Sequence, residues 1–224
     1  MSEPKFDYKY LISRFEPSGF ILSEIPDLVR DELAESLNSI HDGSPTMDSR
    51  LKGHLEKQYA LPLTENVKYY TESLSVEYMK HLHVEEAYRY RDKQVEDFKL
   101  RSLWVNYQKK YDFNPPHNHA GAFSFVIWVQ IPYELEEELN KYNANGPEAS
   151  LFAFRYTSFL GGQITKFLPL DKTWEWKMAF FPAGLHHSVN PFYTSDEYRI
   201  SISGNIFLAN DPQGEKMEAE QYAK

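Results

Sequence analysis

From Phe98 onward the apolar residues change period, and no other feature of the sequence constrains the fold as much. Phe98, Leu100, Ser102 and Trp104 alternate with Lys99, Arg101, Leu103 and Val105, and Trp174, Trp176, Met178 and Phe180 alternate with Glu175, Lys177 and Ala179. A period of two belongs to strands with one face more buried than the other. Strands are expected from 98, over 117–131, over 151–160, from 174 to Pro182 and over 198–208, with turns at 143–147 and Gly161-Gly162. Before residue 98 the spacing is helical. Ile25, Leu28, Val29, Leu33, Leu37 and Ile40 recur at three and four residues after Ser23 and Pro26, and 41–45 stops them. Val67, Tyr70, Leu74, Tyr78 and Leu82 form a second stripe, starting at Thr64 and ending near His83. Residues 5–22 alternate loosely and suggest an edge strand, and 46–63 reads as loop. Helices followed by strands predict an α+β chain with a β-sandwich or jelly-roll core. The expected division is 1–97 helical and irregular, 98–209 core and 210–224 flexible tail, all in one compact domain.

The 224 residues are 42% hydrophobic and 16% aromatic, enough to fill a sizeable core. The absence of cysteine removes disulfides, thiol catalysis and Cys-based zinc sites together, so a metal must be held by His, Asp or Glu. A formal net charge of −9 argues against duplex nucleic acid and anionic membrane as partners. The start lacks a basic-then-apolar signal, and no apolar run approaches the roughly 20 residues of a spanning helix. The cytoplasm is the expected compartment, and oligomeric state is silent.

The chemistry concentrates in Asn114-Pro115-Pro116-His117-Asn118-His119, leading into the apolar run 123–129. Two histidines two residues apart on a strand present both rings to one face, as two ligands of one metal. His81 and His83 share the spacing, but on a helix it turns the rings roughly 200° apart, so they are not ligand candidates. A third ligand candidate comes from His186-His187, just past an expected strand end at Pro182, where a loop turns inward. Arg199 and Ser201 then share one strand face, offering a planar cation and a hydroxyl to a carboxylate. Trp104, Phe125, Trp128, Trp176 and Phe180 are candidate pocket walls, and more simply core. The 42–63 and 132–149 stretches read as solvated connections, with lids over the site as the alternative.

From Trp104 to Ile206 the chain resembles the iron(II)/2-oxoglutarate-dependent oxygenase superfamily, and within it the prolyl-hydroxylase-like branch of uncharacterised phage and bacterial proteins. The matching segments are 104–107, 114–119, 124–128, 181–191 and 199–205. The resemblance implies a double-stranded β-helix (jelly-roll) core with N-terminal helices packed outside. It implies Fe(II) held by His117, His119 and His187, and 2-oxoglutarate held by Arg199 with Ser201 and Tyr107, beside pocket residues Trp104, Phe125, Trp128 and Asn205. The activity implied is hydroxylation of an organic substrate with O2, releasing succinate and CO2. In a phage the compartment would be the host cytoplasm. Position 119 departs from the superfamily's usual carboxylate, which leaves Asp112 as an alternative third ligand and keeps metal identity and the need for 2-oxoglutarate open. His186 is an alternative to His187. Two other functions stay open: a three-histidine cupin-like dioxygenase without 2-oxoglutarate, and a non-catalytic jelly-roll binding or structural protein.

Overall fold

The computed structural model describes residues 19–41, 43–46, 54–55, 57–81, 90, 92–141, 148–158 and 160–221. Its core is a pair of antiparallel sheets built by a chain that crosses repeatedly between them. The elements are β1 (Ile21–Glu24), α1 (Asp27–Asn38), β2 (Lys57–Ala60), α2 (Glu65–His81), β3 (Phe98–Gln108), β4 (Asn114–His117), β5 (Phe123–Gln130), α3 (Leu135–Asn140), β6 (Phe152–Thr157), β7 (Gln163–Leu168), β8 (Lys177–Pro182), β9 (His186–Val189), β10 (Arg199–Leu208) and α4 (Pro212–Gln221). The larger sheet runs β1-β8-β5-β10-β3-β2 and the smaller β4-β9-β6-β7. From β3 to β10 the strands therefore distribute between the sheets as a jelly roll, the double-stranded β-helix anticipated above.

Alternation along the strands separates two apolar cores. Phe123, Phe125 and Ile127 of β5 face the helices with Leu103 and Val105 of β3, Ile202 of β10, and Val29, Leu33 and Val67 of α1 and α2. Val126 and Trp128 face the other way, between the sheets, with Phe152, Phe154 and Phe181. Gly204 permits this packing: a Cβ there would lie 2.5 Å from the Phe125 ring, its cross-strand neighbour. Thr64 precedes α2 and donates its hydroxyl to Glu32 of α1 at 2.6 Å, tying the helix pair.

Several expectations need correction. β2 lies inside the stretch read as loop. Its sequence, Lys-Gln-Tyr-Ala, has little strand character alone and is held by pairing with β3, from Lys57 opposite Tyr107 to Ala60 opposite Trp104. β7 was likewise not anticipated. The strand expected from Trp174 begins at Lys177, because 172–174 form a 3-10 turn with Asp171 accepting from the Thr173 N–H, and Trp176 takes φ 60°. The 117–131 run is broken into β4 and β5. Only Ile21–Glu24 of the first expected strand is seen, and residues 5–18, the 143–147 turn and His83 lie outside the described residues. The tail expected to fray is helical over Pro212–Gln221. α4 packs against the larger sheet, where Arg101 pairs with Glu218 and also donates to the Ala209 carbonyl at 2.7 Å.

Candidate metal centre

Antiparallel pairing of β4 with β9 sets His117 directly opposite His187. Cross-strand partners share a face, and the two ring centroids lie 4.3 Å apart. His119 follows in the β4–β5 connection, where its backbone N–H donates to the Ala183 carbonyl at 2.9 Å and so fixes the connection against the β8–β9 turn. Its ring stands 5.0 Å from His117 and 5.1 Å from His187, and one ligand atom from each of the three rings lies within 4.8 Å of the others. The convergence thus comes from two strands and a pinned connection, rather than from alternation along one strand as expected. His187 also sits on its own short strand, β9, and not in a loop.

Two of the rings have their tautomer set by the backbone. Nδ1 of His117 is 2.7 Å from the Pro115 carbonyl and Nδ1 of His187 is 3.0 Å from the Leu185 carbonyl. A carbonyl can only accept, so each Nδ1 carries the proton and Nε2 keeps the lone pair a metal needs. Burial, then the neighbouring His117, pushes His119 down to about 3, and burial together with His119 and His117 holds His187 well below its ordinary value. Neutral imidazoles are the ligating form. The surroundings are dry: Phe152 stacks on His187 with centroids 5.6 Å apart, and Phe181 lies edge-on at 4.9 Å. His187, 4% exposed, is the inward member of its doublet, and the exposed His186 lines the outer cleft instead. Asp112 is tied into the β3–β4 turn, accepting from the Lys109 N–H at 3.0 Å, and does not join the cluster.

Two spaces meet at His119. Outside is a cleft of about 810 Å³, lined among others by Tyr156, Arg155, Gln163 and His186. Inside is a cavity of about 40 Å³, room for a few waters. Its wall opposite the histidines is polar and uncharged: Gln58, Asn106, Gln108, Ser201 and Ser203 all line it. Asn114 Oδ1, on a residue lining the same cavity, is buried without a hydrogen-bond partner. An orphaned polar atom in such a place fits a site built to receive a ligand.

Arg199 lies at the start of β10, on the same inward face as Ser201 and Ser203, and is 2% exposed. Its guanidinium donates to Gln108 Oε1 at 3.1 Å, the Tyr133 hydroxyl at 2.9 Å, and the Ser150 and Asn190 carbonyls, each at 2.7 Å. Every one of these acceptors is neutral, and the guanidinium also lies over the Tyr133 and Phe192 rings at 5.8 and 5.2 Å, so among the described residues no carboxylate pairs with the buried charge. Ser201, Trp104 and Phe125 are among the residues lining the inner cavity. Trp128 is packed between the sheets against Phe152 and Trp174, and Asn205 accepts from the Ser124 hydroxyl, so neither lines it. Tyr107 points to the other face of β3, against Tyr59 and Tyr198, and is not brought to the histidines. Trp176 and Phe180 belong to the helix-side core. Asn106 and Gln108 were missed, although they stand two and four residues beyond Trp104, and Ser203 stands two beyond Ser201. The period-two rule that selected Ser201 reaches all three. Gln58 carried no such signal, because β2 was not legible.

Residues 102–205, just under half of the chain, match the family described as "Putative 2OG-Fe(II) oxygenase". Among solved structures, the chain is 15% identical to a Pseudomonas putida prolyl-4-hydroxylase, covering 85% of this chain and 93% of that one with a TM-score of 0.48. It is 16% identical to SnoN, a non-heme alpha-ketoglutarate-dependent epimerase of nogalamycin biosynthesis, covering 86% and 78% with a TM-score of 0.42. A Burkholderia pseudomallei protein of the 2OG-Fe(II) oxygenase family is 14% identical with a TM-score of 0.36, over 49% of this chain and 45% of that chain. This chain thus spans less than half the length of the Burkholderia protein. No curated protein matches the sequence. The family matched is one of Fe(II) and 2-oxoglutarate, and the three neutral imidazoles suit iron, since imidazole nitrogen is among its preferred ligands. Among the described residues no helix is long and apolar enough to cross a membrane.

Proposed function

We propose that the protein is an Fe(II)/2-oxoglutarate-dependent dioxygenase that hydroxylates a peptide or small-molecule substrate. The observation that carries this reading is the convergence of His117, His119 and His187 on a cavity also lined by Gln108, which accepts from the buried Arg199. His117, His119 and His187 hold Fe(II) through ring nitrogens. When bound, the metal supplies the activation of O2 coupled to oxidative decarboxylation of 2-oxoglutarate to succinate and CO2.

The protein's own residues supply binding, orientation and dryness. Arg199 receives the co-substrate's far carboxylate, and Ser201 adds a hydroxyl donor. Gln108 now accepts from Arg199 Nε, so its carboxamide must turn aside for a carboxylate to take that place. A five-carbon diacid does not fit into about 40 Å³, so this movement is part of binding. The exchange is favourable because a charged acceptor replaces a neutral one at a buried cation, worth roughly twice a neutral hydrogen bond. Phe152, Phe154 and Phe181 keep water from the histidines. The organic substrate occupies the outer cleft, where His119 forms part of the wall.

The filled hydrogen-bond set of Arg199 also favours a second reading, a three-histidine dioxygenase in which 2-oxoglutarate has no part. Incubation of the Fe(II)-loaded protein with 2-oxoglutarate and O2, with succinate measured, separates the two. Succinate formed in proportion to enzyme supports the proposal. Iron binding with no succinate selects the second reading, and a folded protein that binds no iron leaves a jelly-roll binding module.

A further inference from the structure

His119 is held differently from its two partners. The rings of His117 and His187 are each oriented by a backbone carbonyl. Among the described residues, the His119 ring takes no hydrogen bond. Its neighbour is the Trp104 indole, with ring centroids 5.9 Å apart. That indole is itself tethered: Trp104 Nε1 donates to Asn106 Oδ1 at 3.1 Å. The two residues lie two apart on β3, on one strand face, so the tether spans a single pleat.

Asn106 is unusually well determined for a side-chain amide. An indole N–H can only donate, so the atom facing it must be the amide oxygen. Gln58 Nε2 donates to the same oxygen at 2.7 Å, while Asn106 Nδ2 reaches Ser201 Oγ at 3.3 Å and Ser203 Oγ at 3.4 Å. All four hydrogen-bonding sites of the amide are thereby used, across β2, β3 and β10. A fully satisfied buried network has one arrangement, and Trp104 inherits that arrangement.

We infer that Asn106 is a positioning residue for the metal centre, setting His119 through the Trp104 indole in place of the carbonyl contact that sets the other two rings. The inference rests on the reading that the three histidines bind a divalent metal. A departure of His119 from its site changes the ligand field and weakens the metal, with a loss of about 10–100-fold in affinity, as is usual for groups that orient a ligand.

The test is titration of the metal-free full-length protein with Co(II), read by visible d–d absorption. Asn106→Leu removes the acceptor, and Trp104→Phe keeps a ring but removes the N–H. Both are expected to bind Co(II) about 10–100-fold more weakly, with an altered d–d band. Asn106→Asp keeps oxygen acceptors for the indole and for Gln58, and is expected to bind at least as tightly as the unaltered protein. Thermal unfolding of each variant establishes that it is folded at the titration temperature. If Asn106→Leu does not fold, the Trp104→Phe and Asn106→Asp pair decides. If unaltered protein binds Co(II) and the variants match it in affinity and spectrum, the inference is overturned and the metal site stands. If unaltered protein binds no Co(II), the metal reading falls, and the inference with it.

Discussion

The two ends of the inner site are prepared in opposite ways. At the metal end three imidazoles converge, and His117 and His187 each turn Nδ1 to a backbone carbonyl, so that Nε2 is the atom a metal would take. At the other end Arg199 has given hydrogen bonds to four neutral groups. The difference follows from charge. A neutral imidazole can wait in a dry site at little cost, whereas a bare guanidinium cannot, since an unsolvated buried charge costs several kcal/mol. One end is therefore expected to bind without giving up a hydrogen bond of its own, and the other by exchanging partners. Ligand-end substitutions should act on affinity alone at the metal, and on affinity and stability together at the arginine.

The largest effect is expected at the metal end. His117→Ala or His187→Ala should lower Fe(II) affinity by more than about 100-fold, beyond the usual loss for groups that only orient a ligand, with the apo-protein still folded by circular dichroism. Unchanged iron affinity would mean that the histidines are core residues. Arg199→Ala comes next and should break two things. It strands Gln108 Oε1 and the Asn190 carbonyl, while the Tyr133 hydroxyl still donates to the Ser150 carbonyl, lowering unfolding free energy by roughly 3 kcal/mol in urea titration. It should also raise the 2-oxoglutarate requirement tenfold or more, the loss of a charge-assisted contact worth roughly 1.5–3 kcal/mol. A variant that loses stability but keeps its 2-oxoglutarate dependence would make Arg199 purely structural.

A pH experiment sharpens the same contrast. His119 and His187 titrate below their ordinary value of 6.5 when folded, so between that pH and the folded value the unfolded chain holds more protons. Apo-protein stability should be full above about 6.5 and fall as the pH drops towards about 3, by up to about 1.4 kcal/mol per unit for each histidine. His119→Gln should flatten that slope in denaturant titrations at pH 7 and pH 5, and an unchanged slope would locate the acid sensitivity elsewhere. Tyr107→Phe should do least. The ring faces Tyr59 and Tyr198, away from the cavity, so the 2-oxoglutarate requirement should move by less than about twofold. A tenfold rise would restore Tyr107 to the co-substrate pocket.

Residues two apart on strands were the legible part of this molecule. Alternation from Phe98 and the Arg199/Ser201 pair translate directly into faces, and the histidines do meet, although His119 reaches the others from the connection after β4 and not from a strand face. Illegible were the elements that exist only through a partner. β2 has its conformation because β3 offers it an edge, and with it came Gln58. Tyr107 went wrong because a resemblance to a motif does not say which face a residue takes, whereas its odd spacing from Trp104 and Asn106 does. Glu138 lies in the 132–149 stretch expected to be a solvated connection, yet it is 1% exposed and accepts from the backbone of Tyr193 and Thr194. Nothing local distinguishes it from Glu136 or Glu137. The terminal helix likewise has a polar sequence, and tertiary contacts at Arg101 supply what its own pattern does not.

In the proposed function the three histidines and Arg199 act on one co-substrate. Anaerobic titration of the apo-protein with Fe(II) and then 2-oxoglutarate tests it most directly, through the visible metal-to-ligand charge-transfer band of a chelated 2-oxo acid. A band that saturates with 2-oxoglutarate is expected, and in Arg199→Ala one that saturates only at about tenfold or higher concentration. Iron binding with no band at any 2-oxoglutarate concentration would contradict it.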